Sequence, residues 1–104
     1  MRVTIAGAGA VGRSIAAELI EAQHAVMLIE RDLTAVEPES VPAAEWVHAD
    51  ACELASLEEA HLQECDVTIA ATGDDKVNLV VSLLAKTEFA VPRVVARVNR
   101  AENE

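Results

Sequence analysis

Three glycines near the start of the chain have the spacing of a phosphate-binding turn. Gly7, Gly9 and Gly12 form a G-x-G-x-x-G pattern directly after the apolar residues 3–6. We expect Gly7 to turn the chain off a strand, Gly9 to let a phosphate approach the backbone, and Gly12 to let a helix lie close on the sheet. A plain tight turn is the alternative, but the strand before it and the helical pattern after it favour nucleotide binding.

The helix predicted to begin near Ala10 points its N-terminal end at the same place. The first N–H groups of a helix, here those of Ala10, Val11 and Gly12, have no acceptor within the helix, and the dipole is positive there. Both features attract a phosphate. Arg13 lies in the same turn, where a cation opposes the dipole. Its side chain is either solvated or bound to the phosphates of a ligand, and both readings stay open.

A carboxylate ends the second apolar run, at the place expected for a ribose ligand. Residues 25–30 predict a buried strand ending in Glu30, and the acid that holds a ribose lies about 20 residues beyond the glycines. A carboxylate accepts hydrogen bonds from ribose hydroxyls and repels a 2′-phosphate, so Glu30 favours NAD-type or adenine nucleotides over NADP. Arg31 either weakens that repulsion or stacks on the adenine. Asp32 is expected to cap a turn.

Three later strand ends supply further candidate contacts. Asp50 and Ala51 follow the third predicted strand, where open α/β sheets place their ligands, and Asp50 could also cap the next helix. Thr72 and Gly73 follow the fourth strand, beside the glycine turn if the strand order is 3-2-1-4-5. Arg97 lies near the end of the fifth strand and either faces the cleft or pairs with an acid.

Strands and helices alternate along the chain, which predicts an α/β, Rossmann-like, doubly wound parallel sheet. The predicted strands are residues 2–6, 25–30, 46–49, 66–71 and 92–98, followed by a polar tail at 99–104. The second predicted helix is residues 52–62, with Leu54 and Leu57 facing inward. The third is residues 76–87, with Asp74 or Asp75 as its cap. Prolines leave room for at most a short helical turn within residues 33–45.

The helix at residues 76–87 is apolar over most of its surface. Its thin polar stripe consists of Asn78, Ser82 and Lys86. A helix of this kind is covered on more than its sheet side. Because the domain is small, we expect another subunit to provide that cover.

The composition indicates one domain and argues against several kinds of binding partner. The 104 residues are 52% hydrophobic but only 2% aromatic, which suits parallel strands covered by helices on both faces. A net charge of −10 argues against nucleic acid and anionic lipid surfaces. No apolar run is long enough to span a bilayer, so we expect a cytoplasmic protein without membrane insertion. The spacing of its cysteines and histidines predicts neither a metal site nor a disulfide.

Taken together, the motifs resemble the N-terminal nucleotide-binding half of RCK proteins, the TrkA/KtrA-type regulators of potassium transport. The resemblance runs through essentially the whole chain. Its most specific part is Thr-Gly-Asp-Asp-x-x-Asn followed by Ala-Lys. The motifs are Gly7-x-Gly9-x-x-Gly12, Glu30, His48-Ala49-Asp50-Ala51, Ala71-Thr72-Gly73-Asp74-Asp75-x-x-Asn78, Ala85-Lys86 and Ala96-Arg97-Val98-Asn99.

The resemblance implies a single regulatory, non-catalytic domain over residues 1–104. It implies that NAD(H) or ATP/ADP binds at the strand ends. Nucleotide exchange would reshape a homo-oligomer, from a dimer up to an octameric ring, attached to a membrane potassium channel or transporter. The location implied is the cytoplasm, at the inner face of the membrane through the transporter. The sequence does not choose between NAD(H) and ATP or ADP.

The family motif assigns a part of the ligand to each candidate cofactor-binding residue. The glycine turn and the start of the first helix would face the phosphates, Glu30 the ribose, and Asp50 and Ala51 the adenine. Residues after the fourth and fifth strands would line the other side. The full set is Gly7, Gly9, Ala10, Val11, Gly12, Arg13, Glu30, Arg31, Asp50, Ala51, Thr72, Gly73 and Arg97.

Three residues depart from the family pattern. Glu30 stands where Asp is usual, His48 where Gly is typical, and His61 where Gly or Asn is common. We expect Glu30 still to bind a ribose and His61 to adopt a left-handed backbone conformation. The family continues into a sixth strand and a C-terminal regulatory half, so we expect an excised domain, truncated before that strand, or one piece of a split system.

Two other functions compete with a ligand sensor. The first is the cofactor half of an NAD-dependent oxidoreductase. Hydride transfer requires a bound substrate and a positioned acid or base, and no residue is an obvious candidate. The second is a structural domain that binds no ligand. The apolar helix and the segment at residues 74–78 favour the sensor.

Overall fold

Five parallel strands form one sheet with helices on both faces. The computed structural model describes residues 1–99. Its strands are β1 (Arg2–Ala6), β2 (Ala25–Glu30), β3 (Glu45–His48), β4 (Val67–Ala70) and β5 (Arg93–Ala96). Its helices are α1 (Ala10–Glu21), α2 (Leu54–Glu59) and α3 (Asp75–Thr87), with 3₁₀ turns at Leu33–Ala35, Pro38–Ser40 and Leu62–Glu64. The sheet order is β3-β2-β1-β4-β5, which confirms the predicted Rossmann-like topology.

The strands end level with one another at the carboxyl edge of the sheet. Ala6 of β1 lies opposite Ile29 of β2 and Ala70 of β4. Those residues lie in turn opposite Val47 of β3 and Ala96 of β5. The segments that follow the five strands therefore meet along one edge, with the glycine turn at its centre. Ligands bind at this position in open α/β sheets.

Small aliphatic side chains fill both faces of the sheet. On one face, Ile5 and Leu28 are fully buried and share a cluster with Ala16 of α1. On the other face, Leu57 of α2 and Val81 of α3 belong to a second cluster. Burying one such leucine or isoleucine contributes about 2 kcal/mol relative to leaving it exposed. The sheet that carries the strand ends is therefore held from both sides.

Trp46 is a packing residue at the start of β3. Its side chain packs against the α1-side cluster, and its indole N–H donates to the carbonyl of Val41 at 3.1 Å. The bond satisfies the polar end of a partly buried ring.

The second helix is shorter than predicted, because turns occupy both ends of residues 52–62. The Asp50 carboxylate accepts the N–H of Cys52 at 2.9 Å, which forms a turn before α2. At the other end, His61 has φ 57° and ψ 46°, the left-handed conformation that we expected. Leu57 is buried as predicted, but the inward position predicted for Leu54 is wrong. Leu54 is the first residue of α2 and is 41% exposed.

The predicted bounds of the last three strands are also corrected. β3 starts and ends one residue earlier than predicted, and β4 and β5 are shorter than residues 66–71 and 92–98. Pro92 has no N–H to contribute to the sheet ladder, and β5 begins after it. Of the predicted polar tail, residues 100–104 lie outside the described residues, whereas Asn99 is half-buried.

The outer face of α3 is apolar and exposed. Leu79, Val80 and Leu83 are 60%, 40% and 54% exposed. Asn78, which the sequence assigned to a polar stripe, instead faces the interior and is 1% exposed. Cover of this face by another subunit remains a prediction.

Candidate functional site

A cleft of about 450 Å³ opens at the carboxyl edge of the sheet. Its volume lies within the usual range for small-molecule sites. Most of the predicted cofactor-binding residues line it, namely Gly7, Gly9, Glu30, Arg31, Asp50, Ala51, Thr72, Gly73 and Arg97. Ala10, Val11, Gly12 and Arg13 are not among the lining residues within the described chain.

The three glycines of the turn meet different physical requirements. Gly7 has φ +107°, and a Cβ there would lie 3.0 Å from the backbone nitrogen of Thr72. A Cβ on Gly12 would lie 1.9 Å from the carbonyl oxygen of Gly7, because α1 sits directly against the turn. These contacts confirm the predicted turning and packing roles. A Cβ on Gly9 would meet no atom within 4 Å, so the free space beside Gly9 is available to a ligand.

The N-terminal end of α1 carries no side-chain cap. Gly9 is the N-cap residue, and no acidic residue lies in the first turn. The N–H groups of Ala10, Val11 and Gly12 have no acceptor within the helix, and no nearby carboxylate of the same turn offsets the helix dipole. The backbone N–H groups of these residues are therefore available to an anion, next to Gly9, which lines the cleft.

The Glu30 carboxylate joins two segments of the cleft wall. Its Oε1 accepts the backbone N–H of Ala8, inside the glycine turn, at 2.8 Å. Its Oε2 accepts the N–H of Asp32 at 2.9 Å. An ionised carboxylate offers about four lone-pair sites, so two stay available to a ligand. Glu30 thus positions the turn as well as lining the cleft.

The residues after Glu30 form a short capped turn. The Asp32 carboxylate accepts the N–H of Thr34 at 3.0 Å and its hydroxyl at 2.7 Å, which confirms the predicted cap. These hydrogen bonds lower the pKa of Asp32 below its ordinary value. The carbonyl of Arg31 accepts a hydrogen bond from Nε2 of His48 at 2.9 Å. This bond links the segment after β2 to the end of β3.

Asp50 and Ala51 follow β3 and line the cleft. Asp50 does not cap α2, whose N-cap residue Glu53 makes no side-chain cap. Its carboxylate caps the turn at Cys52 instead. Burial and then the Asp50 charge raise the pKa of the Cys52 thiol, which favours its neutral form. Ala51 is 8% exposed and presents a small apolar surface to the cleft.

The wall on the far side of the glycine turn consists of the loop after β4 and the end of β5. Thr72 and Gly73 line the cleft there. Asp74 is the N-cap of α3, because its carboxylate accepts the N–H of Lys76 at 2.9 Å. Arg97 follows β5 and also lines the cleft, and its backbone N–H donates to the carbonyl of Ala70 at 2.8 Å.

Arg13 lies outside the cleft in this structure. Its Nε donates to the carbonyl of Gly9 at 3.4 Å, and its guanidinium lies 3.8 Å from the carboxylate of Glu37. Both partners of this ion pair are partly exposed. The arrangement favours the solvated reading of Arg13 over a phosphate contact.

Sequence reasoning missed several apolar lining residues. Ile29, Ala49, Ala71 and Val77 line the cleft but carry no chemical signal in the sequence. Ala49 and Ala71 directly precede predicted site segments, so their place at a strand end could have indicated them. Val77 lies on α3, and only the folded arrangement reveals its position.

Charged groups that can bind a polar ligand lie at several points around the cleft. Carboxylates from Glu30, Asp32, Asp50 and Asp74 and two guanidinium groups surround it.

Within residues 1–99, no helix has the length and apolar character needed to cross a bilayer. In the same region, no three His, Cys, Asp or Glu side chains meet in a way that could hold a metal ion.

Known proteins resemble this chain in sequence and in fold. The Trk system potassium uptake protein TrkA of Mycobacterium tuberculosis is 62% identical over 104 residues, which cover 100% of this chain and 47% of that protein. This chain thus spans about half the length of the curated relatives it matches first.

Two solved structures share the fold at low sequence identity. The TrkA-N domain of the inner membrane protein ybaL from Escherichia coli has a TM-score of 0.82 and 19% identity, over 92% of this chain and 71% of that chain. The Shewanella denitrificans Kef CTD in its AMP-bound form has a TM-score of 0.77 and 21% identity, over 94% of this chain and 59% of that one. UDP-glucose 4-epimerases solved with NAD have the fold as well, so the fold alone does not decide the function.

The TrkA-N domain family matches residues 3–104, almost the full chain. The glycine turn, the five-stranded parallel sheet and the cleft at its carboxyl edge agree with this match. The chain therefore belongs to the TrkA-N domain family.

Proposed function

We propose that this chain is the nucleotide-binding regulatory domain of a Trk-type potassium uptake system. The observation that carries the proposal is the single cleft lined by the glycine turn, Glu30, Asp50 and the loop after β4. Each of these lies at the end of a strand or just beyond it. Together they would face the phosphates, the ribose, the adenine and the part of an adenine nucleotide beyond its first phosphate.

The ligand we propose is an adenine nucleotide, either NAD(H) or ATP/ADP. The ribose hydroxyls would donate to Glu30, and the first phosphate would lie against Gly9 and the N-terminal end of α1. The adenine would lie near Asp50 and Ala51. A 2′-phosphate would meet the carboxylates of Glu30 and Asp32, so NADP is disfavoured.

The partner we propose is a membrane potassium channel or transporter. The relative from Mycobacterium tuberculosis is named a Trk system potassium uptake protein. The chain would act in the cytoplasm, bound to the inner face of the membrane through that partner. A nucleotide regulates such an assembly only through different affinities for its conformations. Exchange of one nucleotide for another would then shift the assembly between states.

The exposed face of α3 supports self-association. Three adjacent apolar side chains, Leu79, Val80 and Leu83, are open to solvent, and a second copy would bury them. Sedimentation velocity at increasing concentration tests this point. Leu83→Lys should shift the chain toward monomer, whereas Lys86→Gln, on the same helix, should not. A wild-type chain that stays monomeric at high concentration would remove homo-oligomerisation from the proposal.

Potassium uptake measured in cells tests the regulatory role. The full protein containing this domain should support uptake, and the same protein with Gly9→Ala should lose its nucleotide dependence while remaining folded. Glu21→Gln, a change on the exposed end of α1, serves as the control. Uptake that is equal in wild type and Gly9→Ala at every nucleotide level would contradict the role.

The competing function is the cofactor half of an NAD-dependent oxidoreductase. Membership of the TrkA-N family favours a regulator over that enzyme. The purified chain can be assayed for hydride transfer between NADH and common small carbonyl substrates. Robust turnover that Gly9→Ala abolishes would replace the regulatory proposal with the enzymatic one.

A further inference from the structure

Asn78 is a buried polar residue whose amide is fully hydrogen-bonded behind the cleft. It lies near the start of α3 and is 1% exposed. Its Oδ1 accepts the backbone N–H of Thr72 at 3.0 Å and the Thr72 hydroxyl at 2.7 Å. Its Nδ2 donates to the carbonyls of Thr72 and Arg97, each at 3.1 Å. Both acceptor sites and both donor sites of the amide are used, so these partners determine its orientation.

Through these bonds one side chain holds two residues that line the cleft. Thr72 has both its N–H and its carbonyl bound by Asn78. Arg97 has its carbonyl bound by Asn78 and its N–H bound by the carbonyl of Ala70 at 2.8 Å. A backbone group left unpaired away from water destabilises the fold. The backbone of both lining residues is therefore tied to the orientation of a single amide.

Asn99 supports the same loop from the chain that leaves β5. Its Nδ2 donates to the carbonyl of Thr72 at 3.1 Å and to the Asp75 carboxylate at 2.9 Å. Its backbone N–H also donates to that carboxylate at 2.9 Å. The Thr72 carbonyl thus accepts from two asparagines, and the loop after β4 is joined to the segment after β5.

The strand order determines which part of a nucleotide this wall would face. Glu30 ends β2 and Asp50 follows β3, on one side of the central glycine turn. Thr72 and Arg97 follow β4 and β5 on the other side. A nucleotide with its ribose at Glu30 and its first phosphate at the turn reaches the second side only with atoms beyond that phosphate. AMP ends before this wall, whereas ADP, ATP and NADH continue onto it.

We propose that Asn78 is a positioning residue that sets the specificity of the cleft for the part of a nucleotide beyond its first phosphate. It acts by fixing Thr72 and Arg97 and does not itself contact the ligand. The inference rests on the proposed function, in which an adenine nucleotide occupies the cleft. It goes further by separating the residues that bind AMP from those that discriminate longer nucleotides.

Calorimetric affinities for AMP, ATP and NADH test this role on the purified chain. Asn78→Asp keeps the acceptor contacts to Thr72 and loses both donor contacts. The longer nucleotide for this comparison is whichever of ATP and NADH binds the wild-type chain more tightly. The ratio of its affinity to that of AMP should fall about tenfold in Asn78→Asp, and less in Asn99→Ala. The affinity for AMP itself should change by less than about twofold, because its contacts lie on the other side of the turn.

Thr68→Ala is the matched control for a general loss of stability. Thr68 lies on β4, is as buried as Asn78, and its hydroxyl lies 3.3 Å from Sγ of Cys65. This variant should lower the melting temperature and leave the preference over AMP unchanged. If Asn78→Asp fails to fold, the same ratio measured on Asn78→Ser, which buries no charge, decides the question.

Two outcomes would overturn the inference while the proposed function stands. One is equal weakening of AMP and the longer nucleotides, as expected for a purely structural asparagine. The other is a wild-type chain that binds AMP as tightly as ATP and NADH. Absence of binding by any nucleotide would instead contradict the proposed function, and this inference with it.

Discussion

Glu30 and Ala8 are joined by a 2.8 Å hydrogen bond from the backbone N–H of Ala8 to Oε1 of Glu30. Ala8 lies between the first two glycines of the turn, so the carboxylate that would hold a ribose also fixes the turn that would hold a phosphate. The second oxygen accepts the N–H of Asp32. The two binding functions proposed for the cleft therefore depend on one side chain.

Replacing Glu30 should affect both binding and stability. Glu30→Ala removes two hydrogen bonds to a charged acceptor, which contribute about 1.5–3 kcal/mol each at most. We expect a lower melting temperature and adenine-nucleotide affinity reduced about tenfold or more. Differential scanning fluorimetry and calorimetry measure the two effects. Glu18→Gln, on the exposed side of α1, controls for the loss of one negative charge. Unchanged affinity in Glu30→Ala would show that Glu30 is not a ligand contact.

The two later glycines of the turn should respond in opposite ways to alanine. Gly9→Ala places its Cβ in open space, so the domain should fold with a melting temperature within a few degrees of wild type. Its nucleotide affinity should be lost, because the methyl group fills the space left for a phosphate. Gly12→Ala places its Cβ 1.9 Å from the carbonyl oxygen of Gly7, and this variant should not fold stably. Circular dichroism melts and titrations distinguish these outcomes, and a Gly9→Ala variant with full affinity would contradict the account.

The two arginines Arg13 and Arg97 should contribute differently to binding. Arg13 pairs at 3.8 Å with Glu37 on the surface, an interaction with a typical value of about 0–1 kcal/mol. Arg13→Gln should therefore change affinity and stability very little. Arg97→Gln removes a positive charge from the cleft wall and should weaken ATP or NADH about tenfold. Competition titrations at two salt concentrations compare the variants. A larger loss from Arg13→Gln would restore the phosphate-binding reading of that residue.

Asp32 should make stability depend on acid pH. Its hydrogen bonds from Thr34 lower the pKa of the folded carboxyl below the unfolded value of 3.8. A depressed folded pKa stabilises the fold above the unfolded pKa, and this stabilisation is lost as the pH falls through the lower folded value. Melting temperatures between pH 5 and pH 2.5 should therefore decline less steeply in Asp32→Asn than in wild type. Thr34→Val removes the largest cause of the lowered Asp32 pKa, and its melting temperature should also decline less steeply than that of wild type. Parallel curves for all three proteins would contradict this assignment.

Besides His61, two non-glycine residues hold left-handed conformations that glycine should improve. Gln23 follows the C-cap residue of α1 and has φ 72°, and Ala90 has φ 51°. Such a conformation costs an L-residue about 1–2 kcal/mol, partly offset by the greater unfolded-state entropy of glycine. Gln23→Gly and Ala90→Gly should each raise the melting temperature by about 2–6 °C. Ala17→Gly, at an exposed position inside α1, should lower it by a similar amount. A decrease in both left-handed variants would contradict the prediction.

The sheet and its central turn were predictable because their signals are local. Residues 25–30 are almost continuously apolar, as expected for a strand buried on both faces, and the glycine spacing directly indicates a turn between strand and helix. His61 was predictable for a different reason. The family pattern places a residue with a left-handed backbone there, and His tolerates that conformation.

The remaining features depend on contacts between distant segments. The extent of α2 depends on how Asp50 caps the preceding turn, which competes with helix formation. The position of Arg13 depends on where the loop carrying Glu37 lies. The burial of Asn78 depends on Thr72, Arg97 and Asn99 meeting at one edge of the sheet. The apolar spacing along α3 predicted a position on the polar side for this asparagine, because periodicity does not reveal hydrogen-bond partners from distant segments.

Parallel calorimetric titrations with NAD⁺, NADH, ATP, ADP and AMP are the decisive measurement of nucleotide binding by the cleft. We expect saturable binding of at least one of these nucleotides to each chain, and loss of that binding in Gly9→Ala without loss of the fold. Tighter NAD(H) than AMP would indicate a sensor of redox state, and tighter ATP or ADP a sensor of energy charge. The absence of binding by all five nucleotides to the folded chain would contradict the account.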